Sequence, residues 1–178
     1  MCCPVAAQID AGLLAPGRDR DIAASYDTSA NRTEIRLTIA PSGSGGPSTV
    51  TLVFVARFPG QTPAASEATY SVRTHFTPRA DPADRDPRTG SEGRELIFRL
   101  DPHTTSGVTL YTYASSWGYP GFVAPGGEIP VAFFSLTAAD LRALSTARAI
   151  TGRALGSEFA LAPDQLAAIG EFAKRVVR

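Results

Sequence analysis

The stretch Val50–Phe58, VTLVFVARF, decides the fold. Val50, Leu52, Phe54, Ala56 and Phe58 fall on one side of an extended chain, and Val53 and Val55 on the other. A period of two is the mark of a strand. Apolar residues on both sides place this strand at the centre of a sheet, covered on both faces over part of its length.

The segments around it follow the same rule in one-sided form. Upstream, the short apolar-polar stretch Ile22–Tyr26 and a polar turn at Ser29, Ala30 and Asn31 lead into Thr33–Ala40, where Ile35, Leu37 and Ile39 alternate with polar residues. Downstream, Tyr70, Val72, Thr74 and Phe76 alternate with Ser71, Arg73 and His75. Leu96, Phe98 and Leu100, the turn Asp101–Gly107, and Val108, Leu110 and Thr112 predict a hairpin. Ile129–Leu136, Ala149–Ala154 and Phe159–Leu161 supply further strands, the last two joined across Gly156. Pro41–Ser48, Thr77–Gly93 and the segment carrying Trp117, Tyr119 and Phe122 lack periodicity and read as loops.

Near the C-terminus the period lengthens. Thr137 followed by Asp140 forms a capping-box pattern for a short helix through Thr146. Pro163 opens a second helix whose Leu166, Ile169, Phe172, Ala173 and Val176 make one stripe. The phrase strand, cap, helix is thus written twice, as any strand entering an amphipathic helix would write it. The expected fold is mostly β: an antiparallel β-sandwich of about seven to nine strands, or its rival, a partly open barrel, with a short helix and a C-terminal amphipathic helix. Residues 1–19 read as a tail or tether, and residues 20–178 as one sandwich domain.

Composition agrees with one such core. A chain of 178 residues can bury a core without disulfides or metal, and 16 Gly with 14 Pro suit a strand-and-turn protein. With 17 basic and 17 acidic residues there is no global field toward nucleic acid, which is not expected as a partner. Lys174 is the single lysine, and the preference for arginine and alanine reads as the coding bias of a GC-rich bacterium. No stretch approaches the roughly 20 continuous apolar residues of a membrane-spanning helix.

Cys2 and Cys3 are adjacent and near one end, so they cannot staple distant parts of the fold. They allow two readings. One is a lipid-bearing cysteine on a tether, giving a periplasmic or extracytoplasmic, membrane-associated protein; the other is a pair of incidental thiols, to which Met1 without an apolar segment behind it adds a cytoplasmic location.

Reactive side chains are few. His75 and His103 are the only imidazoles, and a nucleophilic triad would have to run through Asp101, His103 and Ser106 or through His75. Asp81, Asp84, Asp86 and Glu92 with Gly90 offer oxygens for calcium without the helix-loop-helix spacing, and Arg79, Arg85 and Arg88 compete for them. Gly43–Gly46 lacks the lysine and the strand-to-helix setting of a phosphate loop. No residue set points to a cofactor or a bound metal.

What remains is contact surface. Trp117, Tyr119 and Phe122 stand close together among glycines and prolines, Tyr111 and Tyr113 precede them on a strand, and Arg79, Arg85 and Arg88 form a polar rim. Rings on a turn supply contact area at low entropy cost, unless they fold back to plug an open end of the sandwich. The reading is a non-enzymatic structural or interaction subunit that braces other protein subunits in a membrane-associated bacterial assembly. A carbohydrate- or small-ligand-binding sandwich is the alternative, and a hydrolase comes third.

Overall fold

Alternation carries the architecture from the first strand onward. The structure, a computed structural model, describes residues 22–45, 48–62, 68–78, 95–101, 107–115, 131–154 and 157–177. Its strands are β1 (Ile22–Asp27), β2 (Arg32–Ile39), β3 (Ser42–Gly45), β4 (Ser48–Pro59), β5 (Thr69–Pro78), β6 (Glu95–Leu100), β7 (Gly107–Ser115), β8 (Val131–Leu136), β9 (Ile150–Ala154) and β10 (Ser157–Ala160). Two helices follow β8 and β10: α1 (Ala138–Thr146) and α2 (Pro163–Val176).

The strands form one antiparallel ribbon in the order β1-β2-β4-β5-β8-β7-β6-β9-β10-β3. The ribbon makes two sheets because β7 serves both. Its first half pairs with β6, its second half with β8, and the register with β8 slips between Thr112 and Ala114. Such an irregularity lets one strand turn a corner between layers. The order ends at β1 and β3, so the result is sandwich-like with no closed barrel.

One expectation is corrected. Ser42–Gly45 belongs to no loop: it is β3, paired antiparallel with β10 in the second sheet. Ser-Gly-Ser-Gly has no side-chain pattern to read, and its place comes from backbone pairing with β10. The chain thereby crosses from the first sheet to the second and back between β2 and β4, and the described strands number ten, above the expected range.

The core fills the space between the layers. Phe54 of β4 faces Phe98 of β6 at 6.3 Å between ring centres, and Phe98 meets Phe159 of β10 edge-on at 5.9 Å. Gly152 of β9 lies directly opposite Phe159, and a Cβ there would strike that ring and come within 2.6 Å of the Ile97 carbonyl oxygen, so only glycine fits. Thr74 of β5 is the misfit: it is fully buried on the inner face, and its hydroxyl has no hydrogen-bond partner among the described residues.

The two helices close one side of this core. α2 crosses the inner face of the first sheet obliquely, because Gln165 near its start donates to the Ala40 carbonyl just beyond β2 (2.9 Å), Phe172 packs on Phe54 (6.3 Å) and Tyr70 of β5 donates to the Val176 carbonyl (3.0 Å). α1 packs on α2 and β7 through its buried Leu141 and Leu144. Its Thr137–Asp140 capping box is made in full: the Thr137 hydroxyl accepts from the Asp140 amide (3.1 Å) and the Asp140 carboxylate from the Thr137 amide (3.0 Å). At α2 only half forms, since Ala162 has no side-chain oxygen and Gln165 alone reaches back, to the Ala162 amide (3.0 Å).

Candidate functional site

Alternation that sends apolar residues inward sends Glu34, Arg36, Arg57, Val53, Val55, Arg73 and Phe133 to the outer face of the first sheet. Register then makes neighbours of them. Thr38, Val53, Arg73 and Phe133 form one cross-strand row; Arg36, Val55, Ser71 and Ser135 form the next; Glu34, Arg57 and Thr69 form a third. In the first row the Arg73 guanidinium sits over the Phe133 ring, 5.5 Å from its centre. In the others, Glu34 accepts from the Nε of both Arg36 and Arg57. Burial pushes the Glu34 carboxyl up, but the hydrogen bonds and charges of Arg57 and Arg36 outweigh it and hold the group below its ordinary value. Val55, although it faces outward, is only 1% exposed.

At the end of this face the β1–β2 hairpin is held by its own turn. The Asp27 carboxylate accepts from the Ser29 hydroxyl (2.6 Å), the Ser29 amide (2.9 Å) and the Ala30 amide (3.1 Å). Those bonds, the Ser29 hydroxyl first, and the charge of Arg32 keep Asp27 below its ordinary pKa. Asn31 takes the left-handed conformation that asparagine tolerates, at φ 46°, and its Oδ1 accepts from the Tyr26 hydroxyl (2.8 Å). Gly60 ties the turn to β4 by donating to the Asn31 carbonyl (2.7 Å) and accepting from the Thr33 hydroxyl (2.6 Å). Between turn and sheet lies a shallow depression of about 250 Å³, lined by Ala30, Asn31, Arg32, Arg57, Phe58, Pro59 and Thr69.

The residues singled out by sequence fall differently. Cys2, Cys3, Arg79, Arg85, Arg88, Trp117, Tyr119 and Phe122 lie outside the described residues, as do His103, Ser106, Asp81, Asp84, Asp86, Gly90 and Glu92. Tyr111, Tyr113 and His75 lie on β7 and β5, where the backbone alone is described. The described residues that flank positions 79–94 and 116–130 are informative, however. Pro78, Ser115 and Val131 sit toward one end of the first sheet, since β5 runs on from the His75–Val131 pair to Pro78 and Ser115 pairs with Ala132, whereas Glu95 pairs with Tyr111 in the second sheet, four residues along β7 from Ser115. Residue 78, before the arginine segment, and residues 115 and 131, on either side of the aromatic segment, therefore share one end of the first sheet, opposite the depression.

Asp101, the acid of the suggested triad, has another occupation. Its Oδ1 accepts from the Arg148 amide (2.8 Å) and the Ala149 amide (3.1 Å), and its own amide donates to the Ala149 carbonyl (2.8 Å), tying the end of β6 to the entry of β9. No three His, Cys, Asp or Glu side chains come together among the described residues, and no described helix is long and apolar enough to cross a membrane. The arginine–carboxylate lattice went unread in the sequence, although charges at 32, 34 and 36 on the polar side of an alternating strand were its signal.

Comparison with family models, with curated proteins and with solved structures yields no match.

Proposed function

We propose that this protein is a non-catalytic interaction subunit that holds partner proteins at the end of the first sheet from which the segments 79–94 and 116–130 both leave. The observation that carries this reading is the convergence of Pro78, Ser115 and Val131 on one end of the first sheet, which gives the segment bearing Arg79, Arg85 and Arg88 a common origin with the segment bearing Trp117, Tyr119 and Phe122. The row Val53, Arg73, Phe133 on the adjoining outer face supports it: all three are half-buried, and arginine and aromatic residues are the types that anchor protein interfaces. Asp27, Glu34, Asp101 and Asp140 support the non-catalytic part, each holding backbone amides or arginines in place.

Attachment at a membrane surface through Cys2 or Cys3 in an extracytoplasmic bacterial assembly belongs to the same proposal, and the intact mass of the native protein reads it directly. The contact itself is tested by cross-linking and affinity recovery of partners with wild-type protein and with Trp117→Ala and Phe122→Ala. The expected result is recovery reduced at least about tenfold, as for interface anchors, at an unchanged melting temperature. A lowered melting temperature with full recovery would show that the rings plug the core, and retention on polysaccharide lost on Trp117→Ala without loss of assembly would favour a carbohydrate module; either result defeats the proposal.

A further inference from the structure

The opposite end of the first sheet carries a second, chemically different surface. The depression there is lined by two guanidinium-bearing residues, Arg32 and Arg57, by Asn31 and by Thr69, with no carboxylate among its described lining residues. The two described carboxylates nearby already have partners, Asp27 in the hairpin turn and Glu34 with Arg36 and Arg57. The Glu34 bond uses only the Nε of Arg57, one of the five donors of a guanidinium, and it fixes the direction of the rest. Asn31 is oriented in the same way, because the Tyr26 hydroxyl occupies its Oδ1 and leaves the amide NH₂ as the donor end. Among the described residues, three arginines, Arg32, Arg36 and Arg57, thus stand against two carboxylates, and their surplus is positive.

We propose that this depression binds one oxyanion group, a phosphate or a carboxylate, carried by a small molecule. Planar guanidinium forks match such groups, and the Gly60 and Thr33 bonds hold the walls in place before a ligand arrives. The size fits the same class. At about 250 Å³ the depression lies below the roughly 300–1,000 Å³ of pockets that enclose a drug-sized ligand, so it takes a group and not a whole large molecule.

The test is a titration of ¹⁵N-labelled protein with sodium phosphate and with sodium acetate, each against sodium chloride at matched ionic strength, reading the side-chain N–H signals of Arg32, Arg57, Asn31 and, as an internal control, Arg73. Saturable shifts of the first three with phosphate or acetate, a steady Arg73, and affinity at least about fivefold weaker in Arg32→Gln at an unchanged melting temperature are expected. Shifts that merely track ionic strength, or that persist in Arg32→Gln, would overturn the proposal. Sedimentation with phosphatidylglycerol vesicles without a saturable phosphate response would overturn the small-molecule assignment too. Failure here leaves the partner-contact reading standing, because that reading concerns the other end of the sandwich and is scored by recovery of proteins.

Discussion

The two faces of β4 belong to the same twelve residues and live in different physics. Leu52, Phe54, Ala56 and Phe58 face inward, each at most 1% exposed, against a second sheet and a helix. Thr51, Val53, Val55 and Arg57 face outward, and among them Val55 is as dry as the inner residues. Its described lattice neighbours are Arg36 and Ser71 across the strands and Val53 and Arg57 along the strand. Arginine stems lie over apolar surface while their heads stay in water. One face is dried by another layer; on the other, charged side chains flank a buried valine, so charge stands beside the apolar patch.

The largest expected effect tests the inner side of this contrast. Phe54 touches both Phe98 and Phe172, so Phe54→Ala opens a void shared by both sheets and α2. The expected loss is about 3–5 kcal/mol in urea unfolding. A loss below about 1 kcal/mol would mean that the layers do not meet there. Val55→Ala probes the outer side. Two methyl groups at about 0.8 kcal/mol each predict a loss of roughly 1–2 kcal/mol if the arginine stems keep the site dry, measured by the same denaturation. A loss near zero would show that water already reaches Val55 and that the two faces differ more than burial suggests.

How much of this was legible follows from what each feature depends on. Inner-face positions depend on local alternation, so Ile35, Leu37, Leu52, Phe54, Val72 and Phe98 were readable one strand at a time, as was the Thr137–Asp140 box three residues apart. β3 was not, because Ser42–Gly45 offers no pattern and is recruited by a strand more than a hundred residues later. Thr74 was read into the apolar row correctly, yet its unpartnered hydroxyl appears only once Leu52 and Ala132 are placed opposite it. The ion pair between Glu34 and Arg57, 23 residues apart, depends on the β2–β4 register, where a slip of one residue would turn Arg57 inward. The aromatic and arginine segments were legible as composition, and Pro78, Ser115 and Val131 add that both leave the first sheet at one end.

The smallest effect sharpens the outer face through pH. Glu34 has a folded pKa lowered from the ordinary 4.5, so the folded state binds its proton less readily than the unfolded chain does. Its contribution is therefore present above about pH 4.5 and disappears as the pH falls through the lower folded value. Its side chain is 16% exposed and its partners Arg36 and Arg57 are 53% and 34% exposed, so solvent screening limits the pairing to less than about 1 kcal/mol. Glu34→Gln should then lie below wild type at pH 6, and the gap should narrow as the pH falls below about 4.5, in unfolding free energies measured side by side. A gap that stays constant across that range would mean that Glu34 acts by packing over Val55 and its neighbours, and that charge does little to hold the arginines in place.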